Sequence, residues 1–163
     1  RAAADVVFPL FFKEDQPTRI SIKDHSDAID KAVAKFHIDP PPTTEEIKES
    51  EGEVQRIGTR DHNRNLAGNN TDRAARRKKL SKEFGDGEYC PCVYCGLIVG
   101  EGSLIQSKMY TTKQGGRYRQ ANLVPSCVDC NKRRGQMPFP EAIEKIVAFV
   151  RSETADARKK KTP

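Results

Sequence analysis

Two pairs of cysteines with the spacing Cys-x-x-Cys constrain this chain more than any other feature of its sequence. Cys92 and Cys95 form the first pair, and Cys127 and Cys130 form the second. Two thiolates separated by two residues can reach one ion, and two such pairs supply the four ligands of a closed tetrahedral zinc site. A redox pair or a disulfide is the alternative, but neither explains why the spacing recurs. We therefore predict a structural Zn²⁺ held by these four cysteines.

The composition favours a small core that benefits from such a metal. Hydrophobic residues make up 36% of the 163 residues, charged residues make up 32%, and tryptophan is absent. A core with so little apolar surface is commonly stabilised by a metal or by disulfides. The paired cysteines fit metal binding in a reducing compartment better than a secreted disulfide scaffold. The fifth cysteine, Cys90, is interpreted as a free thiol or as a substitute ligand.

Charge is distributed unevenly along the chain. Residues 1–58 contain 8 Lys or Arg against 12 Asp or Glu, whereas residues 59–163 contain 21 against 11. A basic region attracts nucleic acid and an acidic region repels it. The apolar run 6–12, interrupted by Pro9, is interpreted as an edge strand or as a segment that docks on a protein partner. We therefore expect a protein partner for the first region and nucleic acid for the second.

Turn and helix signals divide the chain into four parts. We predict an acidic N-terminal region of short strands and helices over 1–58, and a polar linker over 59–71. The zinc module with its flanking helices follows over 72–152, and a basic tail covers 153–163. No run of apolar residues is long enough to span a bilayer, so we expect no membrane partner.

Helix signals accompany this division. Apolar residues at helical spacing predict helices over 26–36 and 141–152, and the stripe of the latter suits core packing. Thr43 and Glu46 offer a capping box for an acidic helix. Thr71 offers a cap for a basic helix over 72–84.

The basic helix predicted over 72–84 leads directly into the first cysteine pair. Its charges form either a solvated face or a surface that contacts phosphate, and its position beside the module favours phosphate. Two more basic groups follow, one after Gly115 and Gly116 and one after the last cysteine. The predicted nucleic-acid contacts are Arg73, Arg76, Arg77, Lys78, Lys79, Arg117, Arg119, Lys132, Arg133 and Arg134.

Four short motifs lie in and around the cysteine pairs. They are Cys92-Val-Tyr-Cys95-Gly96, Gly115-Gly-Arg-Tyr118, Asn122-Leu-Val-Pro-Ser-Cys127 and Cys130-Asn-Lys-Arg-Arg-Gly135. Together they resemble the HNH endonucleases, in particular the small zinc-bearing type found in actinobacterial phages. The resemblance covers about residues 72–136. It implies a location in the cytoplasm of a bacterial or phage-infected cell, and double-stranded DNA as the nucleic-acid partner.

The resemblance implies an α+β fold built on a ββα-metal unit, stapled by the four-cysteine zinc site and flanked by helices. In this sequence the two strands fall at about 104–108 and 122–124, and the helix begins near Val128 and carries Asn131. Family members end the first strand with an Asp-His pair. The Asp ligates a divalent cation such as Mg²⁺, and the His activates the attacking water.

Family spacing places the Asp-His positions on Ser107 and Lys108. Asn122 matches the central Asn that orients the His, and Asn131 matches a further metal ligand on the helix. The candidate catalytic residues are thus Lys108, Asn122 and Asn131. Neutral ligands hold Mg²⁺ weakly, and a lysine in a wet, polyanionic site stays protonated, so Lys108 suits a phosphate contact better than a base.

Two functions follow from the resemblance. The first is metal-dependent phosphodiester hydrolysis by a DNA endonuclease. The second is a catalytically inactive HNH-like zinc module that binds nucleic acid, or that serves as a structural subunit of a larger, phage-type assembly.

His62 lies in the predicted linker, outside the four motifs. It is interpreted as an exposed loop residue, and the alternative is that it folds back onto the site.

Overall fold

A computed structural model describes residues 19–38 and 40–161, and within these ranges the architecture is α+β. This confirms the fold class at the level of helices and sheets. The segment 6–12, with its predicted docking role, lies outside the described residues. No helix in the described ranges has both the length and the apolar character needed to cross a membrane. The described residues form six helices: α1 (Ile22–Ile38), α2 (Thr44–Ile57), α3 (Thr59–Ala67), α4 (Asn70–Phe84), α5 (Val128–Arg134) and α6 (Phe139–Lys161).

Two small antiparallel sheets complete the described fold. The strands are β1 (Tyr89–Pro91), β2 (Ile98–Gly100), β3 (Ile105–Lys108) and β4 (Leu123–Ser126). β1 pairs with β2, and β3 pairs with β4 with Lys108 opposite Leu123. β3 lies where the sequence predicts a strand, whereas β4 starts after Asn122, because Asn122 ends a 3₁₀ turn. The predicted order of strand, loop, strand and helix is therefore present.

Helix α1 packs across the module instead of standing apart from it. The rings of Phe36 and Phe139 lie 5.3 Å apart, centroid to centroid. The Nζ of Lys35 donates to Glu83 Oε2 at 2.8 Å and to the carbonyl oxygen of Leu123 at 2.7 Å. These contacts join the acidic N-terminal region to α4, β4 and α6. Just before α1, Arg19 forms an isolated antiparallel bridge with Leu97.

Residues 59–71, which the sequence predicts to be a linker, are largely helical. Gly58, with φ of +88°, ends α2, and α3 begins at the next residue. The sequence missed α3 because its buried residue is His62, so no apolar stripe marks its packed face. Polar residues at helical spacing give no periodic hydrophobic signal.

Helix caps account for the starts of α2 and α4. The predicted capping box is confirmed: Thr43 Oγ1 accepts from the Glu46 amide at 3.2 Å, and Glu46 Oε2 accepts from the Thr43 amide at 2.8 Å. At α4 the cap is Asn69 instead of the predicted Thr71, and its Oδ1 accepts from the Asp72 amide at 2.9 Å. Asparagine is the stronger N-cap of the two residue types, which agrees with the observed start of α4.

Helix α6 extends beyond its predicted end. Its backbone remains helical to Lys161, so residues 153–161 of the predicted basic tail continue the helix. The apolar stripe predicted within 141–152 is buried as expected, with Ile146 and Val147 in the core. The core lies between the two sheets and helices α1, α4 and α6, and its largest fully buried side chains include Tyr94, Phe139, Leu80, Met109, Leu123 and Ile146.

Candidate functional site

The four paired cysteines converge on one point. Cys92 and Cys95 lie in the turn between β1 and β2, and Cys127 and Cys130 lie at the start of α5. All four are buried, and their sulfur atoms lie within 4.8 Å of one another. Cys127 Sγ also caps α5 by accepting from the Cys130 amide at 3.4 Å. The turn and the helix start therefore present all four thiols to a single metal position.

The sulfur geometry fits a tetrahedral ion. Sulfurs about 2.3 Å from a common Zn²⁺ lie about 3.8 Å apart in a tetrahedron. Cys95 Sγ and Cys127 Sγ are separated by 3.8 Å, and none of the cysteines is in a disulfide. Four soft sulfur donors with no oxygen ligand match the preference of zinc. The cluster could therefore hold a metal such as zinc.

The protonation of the four thiols also favours binding of a cation. Burial raises the pKa of the Cys92 thiol well above its usual range, whereas hydrogen bonds from Cys130, Cys92 and Cys95 lower the pKa of Cys127. The thiolate of Cys127 is thus stabilised by hydrogen bonds from neighbouring thiols that remain protonated. A bound metal replaces those protons and allows all four sulfurs to ionise.

Cys90 lies outside this cluster. Among the described residues, the metal-binding group contains only the four paired cysteines. Burial raises the pKa of the Cys90 thiol to about 12, so it remains protonated at neutral pH. Of the two interpretations, the buried free thiol is the one that fits.

Ser107 and Lys108, the residues that the resemblance assigns to the Asp-His positions, are buried at the end of β3. Ser107 is 2% exposed and Lys108 is 7% exposed. Ser107 Oγ accepts from Arg134 Nη1 at 2.8 Å and lies 3.1 Å from the hydroxyl of Tyr94. Lys108 Nζ donates to Thr112 Oγ1 and to the carbonyl oxygen of Gly116 at 3.3 Å. Both side chains are committed to partners within the chain.

Lys108 lies in a buried environment, whereas the sequence predicts a solvent-exposed one. Burial, together with the positive charges of Arg134 and Arg117, lowers the pKa of Lys108 to about 7. The ring centroid of Tyr118 lies 4.7 Å from the Lys108 ammonium and covers it. The prediction of a fully charged, solvent-exposed lysine is therefore wrong.

Helices α2 and α3 form the cover over this lysine. Ser50 on α2 donates to the carbonyl oxygen of Thr112 and lies 3.3 Å from His62 Nε2. Asn63 Oδ1 on α3 accepts from Thr112 Oγ1 at 3.0 Å and from the Tyr118 hydroxyl at 3.1 Å. The loop between β3 and β4 is thus held against two helices that lie 50 to 70 positions earlier in the chain.

His62 belongs to this cover and is 7% exposed, so its interpretation as an exposed loop residue is wrong. Burial lowers its pKa, and the nearby charge of Lys108 lowers it further. Gly115 brings the loop close to α2, because a Cβ at this position would lie 3.0 Å from the amide nitrogen of Ile47. Beyond the paired glycines, no local sequence pattern predicts these contacts.

Asn122 and Asn131 occupy different environments. Asn122 is 1% exposed, and its side chain bonds the amide and carbonyl of Tyr110 and the carbonyl of Arg117 at 2.8 to 3.1 Å. It fixes the loop and does not bond Lys108. Asn131 is half-buried on α5, and within the described chain no hydrogen bond joins its side chain to Lys108. The three predicted catalytic residues therefore do not form one bonded group.

The predicted nucleic-acid contacts divide into exposed and internal groups. Arg134 is 4% exposed and bonds Tyr94, Ser107 and three backbone carbonyls, so its predicted contact with nucleic acid is contradicted by its burial. Arg76 is half-buried and donates to Gln106 Oε1 at 2.7 Å. Arg73 and Arg77 are also half-buried. The exposed members are Lys78, Lys79, Arg117, Arg119, Lys132 and Arg133.

Two exposed arginines of this set have partners within the chain. Arg117 pairs with Glu49 Oε2 of the acidic helix α2 at 3.3 Å. The Arg133 guanidinium lies 3.9 Å from the ring centroid of Phe149. Exposed pairs of this kind contribute little to stability, so both arginines can still turn toward a ligand.

Comparison with known proteins assigns no family to this chain, so its function has to be inferred from the geometry of the site. No protein-family model matches the chain, and no curated protein matches its sequence.

Replacing Lys108 by Met should flatten the pH dependence of stability above neutral pH. An unfolded lysine titrates near ~10.4, whereas burial brings the pKa of folded Lys108 to about 7. Between these values the unfolded state binds the proton and the folded state does not, so the free energy of unfolding rises with pH. Below about pH 7 both states are protonated and the slope from this group vanishes.

Urea denaturation from neutral pH to about pH 10 measures this effect. The wild type should gain roughly 2–4 kcal/mol relative to Lys108→Met across that window. Lys113→Met, which replaces an exposed lysine of the same loop, serves as the control, and its stability should change with pH as that of the wild type does. Identical pH profiles for wild type and Lys108→Met would show that the lysine is not desolvated.

Proposed function

We propose that this protein is an HNH-like zinc module that binds nucleic acid, double-stranded DNA in particular, and that it lacks an ordinary HNH cleavage centre. The observation that carries the proposal is the cover formed by α2 and α3 over the end of β3. A phosphodiester has to reach the Asp-His positions in order to be cut. Here those positions hold Ser107 and Lys108, which are 2% and 7% exposed.

Electrostatics at the covered site also favours binding over cleavage. Arg134 Nη1 lies 2.8 Å from Ser107 Oγ, which occupies the family's metal-ligand position. A divalent cation at Ser107 would meet a guanidinium and would have a neutral hydroxyl as its ligand. Hard cations bind where carboxylates compensate their charge, and like charges at this distance repel strongly.

The exposed basic side chains supply the surface for nucleic acid. They come from α4 (Lys78 and Lys79), from the loop (Arg117 and Arg119) and from α5 (Lys132 and Arg133). Lysine and arginine bind the phosphate backbone by releasing its condensed counterions, which requires no base contact. The four-thiolate site, occupied by Zn²⁺, would fix α5 relative to β1 and β2 and so hold these elements in place.

Salt-dependent binding to a short DNA duplex tests the proposal. Fluorescence anisotropy should show an affinity that falls roughly 10- to 10³-fold between about 50 and 200 mM salt. The double substitution Lys78→Glu and Lys79→Glu should weaken binding at low salt. The control is Lys48→Glu on the acidic helix α2, which makes the same kind of charge change at an exposed position outside the basic surface. Binding that is absent at low salt would refute the proposal.

A plasmid-nicking assay with Mg²⁺ or Mn²⁺ separates binding from cleavage. The wild type should leave supercoiled plasmid intact. Nicking that disappears in Lys108→Ala while the zinc content is retained would instead establish the endonuclease alternative. A protein with neither binding nor nicking would point to the structural-subunit alternative.

A further inference from the structure

A cleft of about 320 Å³ lies between helices α3 and α4, and four of its ten lining residues are arginines. Arg60 and Arg64 come from α3, and Arg73 and Arg77 come from α4. Each pair is spaced i, i+4, which places both side chains on the same face of their helix. Two helices thus each contribute two arginines to the lining of one space. We name this space the arginine cleft.

One buried donor atom of each of the two α4 arginines is left without a partner in the arginine cleft. The Nε atoms of Arg73 and Arg77 are buried, and neither has a hydrogen-bond partner in the part of the chain that is described. A buried donor without an acceptor is costly, so native proteins rarely retain one unless a ligand or water completes it. The neighbouring Arg76, by contrast, donates to Gln106 and to the carbonyl of Ala67.

Within the described part of the chain, no carboxylate lines the arginine cleft to balance these charges. Its other described lining residues are neutral and include Asn63, Gln106 and Tyr118. Tyr118 is held in place by the bond from its hydroxyl to Asn63 and by the Arg76 guanidinium, which lies 5.0 Å from its ring centroid. The cleft therefore brings four cations together without an anion among its described lining residues. Such an arrangement is suited to an anionic ligand.

We propose that the arginine cleft binds one phosphate group of a nucleic acid through bidentate guanidinium contacts. The choice of nucleic acid as the source of the phosphate rests on the function proposed above. A phosphate presents several acceptor oxygens in a tetrahedron, so it can accept from arginines on two sides, whereas a carboxylate satisfies a single fork. Internal phosphodiesters and terminal phosphates share this chemistry.

Charge-conserving substitutions test the arginine cleft directly. The double substitution Arg73→Lys and Arg77→Lys keeps the net charge but removes the planar forks, so affinity for a DNA duplex should fall roughly tenfold. The matched control is Lys48→Arg and Lys82→Arg, at exposed lysines that are not among the proposed nucleic-acid contacts, and its affinity should stay within about twofold of the wild type. Zinc content and melting temperature establish that each variant is folded.

Small anions separate this inference from the proposed function. Pyrophosphate should raise the melting temperature of the wild type at low salt and should have less effect on the double Arg→Lys variant. A preference for 5′-phosphorylated over 5′-hydroxyl oligonucleotides would assign a terminal phosphate, and equal affinity would assign an internal one. Pyrophosphate binding without any duplex binding would support phosphate binding by the arginine cleft and refute the proposed function. Unchanged duplex and pyrophosphate binding in the Arg→Lys variant would refute the cleft.

Discussion

Purified protein should contain about one zinc ion per chain, and removing that zinc should abolish cooperative unfolding. β1 and β2 are three residues each, and a two-stranded sheet of that size does not persist alone in water. The apparent binding free energy of a structural zinc is about 10–16 kcal/mol, which is comparable to the whole stability of a typical domain, about 5–15 kcal/mol. The metal is therefore expected to account for most of the stability of this region.

Metal analysis and thermal melts with and without a strong chelator measure this effect. Cys127→Ser should lose zinc and the cooperative transition together, because Cys127 both belongs to the cluster and caps α5. Cys90→Ala is the matched control, since Cys90 is a buried cysteine outside the cluster, and it should retain one zinc per chain. An unchanged melting curve after complete zinc removal would contradict the prediction.

Arg134→Ala should destabilise the protein by roughly 3–5 kcal/mol, an effect typical of breaking a buried charged network. The Arg134 guanidinium donates to Ser107 Oγ at 2.8 Å, to the Tyr94 hydroxyl at 3.1 Å and to the carbonyl oxygen of Met109 at 2.9 Å. It also donates to the carbonyls of Lys108 and Met137. Removing it leaves several buried acceptors without donors and detaches α5 from the end of β3.

Urea denaturation of three variants measures the role of Arg134. Arg134→Lys should recover little of the lost stability, because one ammonium cannot span acceptors that a planar fork reaches on several sides. Arg133→Ala, at the adjacent exposed position, should cost about 1 kcal/mol or less. Zinc content should stay at one ion per chain in Arg134→Ala. Equal stabilities of Arg134→Ala and the wild type would show that the network contributes nothing.

Local patterns in the sequence predicted the features that depend on neighbouring residues. The spacing of the cysteines anticipated a cluster whose sulfurs lie within 4.8 Å. Capping residues located α2 and α4, apolar spacing located α1 and α6, and the family resemblance placed the strand at β3. Helix α3 was missed, because its packed face is polar and the hydrophobic period that reveals most helices is absent.

The environment of the candidate site depended on contacts that are distant in sequence. Lys108 was expected in water, but the contacts of Ser50 and Asn63 with Thr112 place two helices over it. Arg134 was expected on the basic surface, but its side chain points from α5 toward β3 and donates to Ser107. A charged side chain gives the same sequence signal whether it is solvated or buried, so burial could not be read from the residue type.

The spacing of the paired thiols was enough to predict which four cysteines form a cluster that could hold a metal, because two intervening residues allow both thiols of a pair to reach one ion. The excess of positive charge after residue 58 is likewise a property of the sequence. Folding, in contrast, sets which of those charges face outward, which line the arginine cleft and which lie in the interior with Lys108 and Arg134. Desolvation arises from the sum of packed neighbours, and those neighbours are brought together across 50 or more residues of the chain.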